Sequence, residues 1–276
     1  MSPDLIFFLS LAVKMAVTAL FVVGAVFSAE RAGPVVGAMV ATLPISAGPA
    51  YIFLSLDHNA GFIADSALAS LVINAITCIF ALTYALLAQY RGLVLSVAPA
   101  LALWTVLAVI ARSVSWTTVT AFAFNVVVLA GCLAIGNRLR HIRMPLVTRR
   151  WYDIPLRAGM VATLVATVVG LSARVGPTIT GILAVFPIVL LSLMVILHPR
   201  IGGRASAAVL ANSMLGLVGF SFSCLTARVT VPMFGKAGGL ALALTVSIVC
   251  NLAFWWIRRH KPAAAVPTAA SSSPSP

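Results

Sequence analysis

Long apolar runs, punctuated by short stretches carrying arginine, histidine, asparagine or proline, set the pattern of this chain. A helix needs about 20 residues to cross about 30 Å of hydrocarbon. Nine windows of that kind can be drawn, at roughly 5–27, 34–56, 62–88, 93–111, 116–136, 154–173, 177–198, 205–227 and 236–257. The pattern therefore predicts an all-α, polytopic transmembrane helical bundle. The first window does not read as a secretory signal: no basic residue precedes it, Lys14 interrupts it and no clean small-residue cleavage site follows. It is read as a retained helix. From Pro262 onward the proline, alanine and serine composition predicts a disordered tail over 262–276.

Composition agrees. With 62% hydrophobic and 8% charged residues, the chain has too little polar surface to cover a water-soluble globule. The net charge of +13 does not point to nucleic acid, because the basic residues lie at the ends of apolar windows, the positive-inside pattern. One set of connections carries twelve Lys and Arg residues and the other four, Arg112, Arg174, Arg228 and Lys236. That asymmetry predicts a protein of the inner membrane with the 137–152 linker and the C-terminus in the cytoplasm, and an odd number of spans then leaves the N-terminus outside. Trp116, Trp151, Trp255 and Trp256 fit an aromatic belt. Cys78, Cys132, Cys224 and Cys250 stand singly in apolar runs, which indicates packing and neither a disulfide framework nor a metal site.

Two windows open alike: RAGPVVGAMVATLPI at Arg31–Ile45 and RVGPTITGILAVFPI at Arg174–Ile188, 143 residues apart. At that offset Arg31 matches Arg174, Gly33-Pro34 matches Gly176-Pro177, Pro44 matches Pro187, and Lys14 matches Arg157. A duplicated module is expected, with a first repeat over 1–112, a connector helix and basic linker over 113–152, and a second repeat over 153–261. Four helices per repeat and one connector start the copies on opposite sides of the membrane, so the repeat is inverted. In folds of this kind solute sites lie at the interface of the repeats.

The chemistry-bearing candidates follow from this frame. Gly33-Pro34 and Gly176-Pro177 initiate the second helix of each copy. Pro44 and Pro187 come ten residues later, about 15 Å along the helix and near mid-bilayer. Each deprives the residue four back of its helical partner, which exposes the carbonyls of Val40 and Leu183. The alternative is a kink that only shapes the bundle. Lys14, counted from a helix start near Leu5, lies about 14 Å deep, where a cation normally faces protein or water. Arg157 can instead snorkel to the interface. Since the five acidic residues lie near ends or in loops, Lys14 is expected to meet carbonyls, hydroxyls, water or an anionic solute. Asn74 and Asn212, in repeat-equivalent helices, are secondary candidates, while interhelical hydrogen bonding is the ordinary role of Asn74, Asn125, Asn212 and Asn251. The turns Asp57-His58-Asn59 and His198-Pro199-Arg200 read as caps rather than ligands. Small residues such as Gly216, Gly219, Gly238 and Gly239 read as close-packing positions.

Lys14, Arg31 and the Gly-Pro and Pro44 spacing resemble the small GlpM-like membrane proteins, over Lys14 to Asp57 and again over Arg157 to Arg200. The resemblance implies duplication of a small membrane module and no particular activity. No hydrolase, phosphate-loop or paired-carboxylate motif is present, so an enzyme is not expected, nor a cofactor. The expected function is secondary transport of a small polar or anionic solute, in the lipid bilayer and without nucleic-acid partners. The alternative is a non-transporting membrane scaffold or accessory protein.

Overall fold

A computed structural model describes residues 3–31, 47–139 and 150–259. Among these residues the chain is helical throughout: α1 (Pro3–Arg31), α2 (Ala47–Asp57), α3 (Ala60–Leu87), α4 (Leu93–Arg112), α5 (Thr118–Gly136), α6 (Asp153–Ala184) and α7 (Ile188–Arg259), with a single 3₁₀ turn at Asn137–Leu139. Four stretches are long and apolar enough to cross a bilayer, namely Ala60–Leu87, Leu93–Arg112, Thr118–Leu139 and the broken run Asp153–Phe254. The all-helical membrane character expected from the apolar pattern is thus present.

The centre of the bundle is α3. The Asn59 side chain caps it by accepting from the Phe62 amide, and small residues along it, including Ala64, Ala67, Ser70, Ala75, Cys78, Ala81 and Ala85, are almost completely buried. Helices in lipid gain little from apolar burial against each other, so close approach over small side chains supplies the packing instead. Around α3 the outer helices bury only narrow seams. In α4 the seam is Ser96, Ala100, Trp104, Ala108 and Ala111, while Val94, Val106, Val109 and Ile110 on its other faces are exposed. In α5 it is Ala121, Asn125, Leu129, Cys132 and Gly136, below a capping box at Thr117 and Thr120. In α1, Thr18 and Val22 are buried, and its main neighbour is α6.

Neither α6 nor α7 is a straight rod. A 72-residue helix would be about 108 Å long, but α7 contains non-helical glycines at Gly202 (φ 79°, ψ 165°) and Gly235 (φ 76°, ψ 169°). At Gly235 the chain doubles back: Gly239 presses on Val231, and Gly219 on the Asn251 amide. Likewise α6 turns at Gly176 (φ 75°, ψ 176°). A boundary expected near 174–176 is therefore a joint inside one hydrogen-bonded element. The window 177–198 is in turn interrupted, because α6 ends at Ala184 and α7 begins at Ile188.

Candidate functional site

The gap between α6 and α7 falls at Val185, Phe186 and Pro187. Proline has no N–H and disfavours helical geometry in the residue before it; helix α6 stops there rather than bending through Pro187. The carbonyl of Leu183 is not exposed as its position four residues before the proline led one to expect. A 3₁₀-type bond from the Phe186 amide satisfies it at 3.0 Å, since the last turn tightens when the α-pattern ends.

Other carbonyls take its place. Ser70 of α3 donates to the carbonyl of Gly181 at 2.8 Å, and Tyr51 of α2 donates to Ser70 at 2.7 Å. Further along α3, Thr77 donates to the carbonyl of Val185 at 3.4 Å and accepts from the Trp104 indole at 3.1 Å. Two short relays therefore run from the periphery, through α3, to the broken helix. Trp104 also meets Phe186 edge-on at 5.2 Å between ring centres. The approach is tight enough that a Cβ at Gly181 would collide with the Ser66 carbonyl.

Between these relays stands Asn74, fully buried. Its amide nitrogen donates to the Leu217 carbonyl at 2.9 Å and to Ser221 at 2.8 Å. Ser221 in turn donates to Asn125 Oδ1 at 2.7 Å, and Asn125 donates to the Leu71 carbonyl at 2.7 Å. Asn74 Oδ1 is buried without a hydrogen-bond partner. Asn212 does not join this cluster; it donates to Ala208 on its own helix, because it lies several residues out of register with Asn74.

The partner of Lys14 is a correction. Its ammonium lies 2.6 Å from Asp57, the last residue of α2. The missed partner was a carboxylate assigned to a loop. At the start of α6, Arg200 grips the Asp153 carboxylate through both Nη atoms at 2.7 and 2.6 Å. Arg157, one turn along α6, is half-buried.

Both histidines have structural partners, although His198-Pro199-Arg200, expected as a turn, lies inside α7, which bends only at Gly202. His58 Nε2 meets Ser172 at 2.7 Å; Ser172 already donates to the Val169 carbonyl, so the imidazole supplies the proton. Burial pushes His58 below its usual range, although Asp57 pulls the other way. His198 Nδ1 bonds the Tyr84 hydroxyl at 2.8 Å. Gly176 and Pro177 form the joint within α6, where Thr180 bonds back to the Gly176 carbonyl. Gly33, Pro34, Val40 and Pro44 lie outside the described residues. Among the described residues no three histidine, cysteine, aspartate or glutamate side chains converge on a metal-sized site.

The groups the sequence reading missed are Tyr51, Ser70, Thr77, Trp104 and Ser221. A signal existed for two of them: Ser70 and Thr77 fall with Ser66 and Asn74 at helical spacing along one face of an otherwise apolar α3. No family model matches the chain, and no curated protein or solved structure matches it.

Proposed function

We propose that this protein is a nine-span membrane transporter without enzymatic activity, built from inverted copies of a GlpM-like four-helix unit, that moves a small polar solute by alternating access. The observation that carries the reading is the helix interrupted at Val185–Pro187, whose carbonyls of Gly181 and Val185 are capped by hydroxyls of α3. Hydroxyls that can swing away from carbonyls can also give them up to a solute, and discontinuous helices at a repeat interface are the layout in which transporters place their sites. The Asp57 carboxylate at Lys14 removes the argument for an anion. A neutral polar solute, met by Ser70, Thr77, Asn74 Oδ1 and backbone oxygens, suits the seam better.

Three features support the inverted duplication. Asn74 bonds the carbonyl of Leu217, a residue 143 positions away, the offset of the sequence repeat itself. Residues related by a two-fold axis meet only on that axis. On either side of this point α3 runs antiparallel to α7, with Asp65 against Arg228 and Ala88 against Gly203. The junctions also fall at the same offset: Asn59 and Gly92 precede α3 and α4, and Gly202 and Gly235 lie 143 residues later, with similar ψ but φ of the opposite sign. The basic linker and C-terminus on the cytoplasmic side complete the proposed orientation.

The test is thermal stabilisation of the purified protein across sugars, polyols, amino acids and small anions, with Ser70→Ala and Thr77→Val as controls. A solute that raises the midpoint of the wild type and not of either variant supports the site. If no solute shifts the wild type while Thr77→Val is itself more stable, the second reading, a scaffold or accessory protein, replaces it. Its favouring observation is that the seam is closed, with Ser70, Asn74 and Thr180 fully buried.

A further inference from the structure

An open groove of about 650 Å³ runs along the outer face of α6, within the ordinary size of a ligand site. Pro155, Leu156, Gly159 and Thr163 line it from α6, Phe186 from the break and Ile188 from the start of α7. It extends along α6 from Pro155 to Thr167, about 18 Å. That is roughly the depth of one leaflet of a hydrocarbon core about 30 Å thick. The lining is apolar apart from threonine hydroxyls, and Thr167 spends its own on the Thr163 carbonyl.

The end of the groove at Pro155 is the beginning of α6, where the charge is positive. Arg150, Arg157 and Arg200 surround the carboxylate of Asp153. Arg150 is exposed and commits one nitrogen to the Tyr152 hydroxyl at 2.9 Å. The Tyr152 ring lies under two guanidinium groups, Arg150 at 5.9 Å and Arg200 at 5.3 Å. Beside it Trp151 is 85% exposed, as an aromatic side chain at a membrane–water interface is. An apolar channel one leaflet deep, ending in cations and interfacial aromatics, is complementary to a single amphiphile: acyl chain within, anionic headgroup at the arginines.

We infer that this groove is a binding site for one anionic phospholipid, its acyl chain lying along Gly159 and Thr163 and its phosphate at Arg150. The inference is independent of the transport reading and survives if that reading fails.

The test uses the full-length protein in a non-ionic detergent, with phosphatidylglycerol and phosphatidylcholine of identical chains, read by native mass spectrometry and thermal midpoint. The wild type is expected to retain one phosphatidylglycerol and to be stabilised more by it than by phosphatidylcholine. Arg150→Gln should reduce the preference about fivefold, the contribution of one cation near a membrane surface. Thr163→Trp should abolish the increment by filling the groove. If that variant folds poorly, Gly159→Leu serves the same purpose, since nothing lies within 4 Å of a Cβ there. Equal stabilisation by the two lipids, or a phosphatidylglycerol increment that persists in the filled variant, overturns the assignment. So does a wild type that retains no lipid.

Discussion

Gly176, Gly202 and Gly235 share one backbone conformation, φ 75–79° with ψ 165–176°, in a region that only glycine enters without strain. A β-carbon added to any of the three would meet nothing within 4 Å, so the requirement is torsional and not spatial. Gly235→Ala is therefore expected to lower unfolding stability in detergent by about 1–3 kcal/mol. Gly216→Ala, in the same helix with ordinary torsions and equally open space, should be neutral or stabilising by about 0.5–1 kcal/mol. A similar contrast holds for the asparagines. Asn74→Leu removes two bonds that cross between helices and should cost about 0.6–2 kcal/mol, whereas Asn212→Leu removes only a bond within its own turn and should change the midpoint little. Both pairs can be read from thermal unfolding.

At the scale of helices, each proposed copy ties its first helix to the end of its second with an ion pair, but with the signs exchanged. Lys14 on α1 holds Asp57 at the end of α2, and Asp153 on α6 holds Arg200 in the first segment of α7. The second pair is bidentate, with both side chains 13–14% exposed, while the Asp57 side chain is 41% exposed. Asp153→Asn should accordingly cost about 1–3 kcal/mol and Asp57→Asn no more than about 1 kcal/mol, a ranking that thermal midpoints will check. These pairs also show where sequence reasoning stopped. Lys14 was legible as an anomaly, but its partner was not, because the register between α1 and α2 is set by packing that no local spacing encodes. Pro187 was legible as a disruption. That Ser70 and Thr77 would answer it was not, because hydroxyls in an apolar helix more often bond their own turn, as Thr105 does with Leu101.

At the scale of the whole molecule, the apolar windows were enough to reveal an all-helical membrane chain, and the windows 62–88, 93–111 and 116–136 match α3, α4 and α5 closely. The later window boundaries fall at Gly176, Gly202 and Gly235, where the chain turns; what the pattern missed is the break at Val185–Pro187, inside the window 177–198, because apolar residues surround it. Gly219, singled out as a close-packing residue, does lie where Asn251 leaves no room for a side chain.

The exchanged ion pairs carry one further consequence. Because each closes within its own half, those two pairs do not hold the halves together, and the halves adhere instead through Asn74 on Leu217, Ser70 on Gly181, Tyr84 on His198 and the ion pair of Asp65 with Arg228. A gene severed within codons 140–149, expressed as two separate polypeptides, should thus yield a heterodimer that co-purifies through a tag on either fragment. Asp65→Arg should weaken that recovery, and adding Arg228→Asp should restore it.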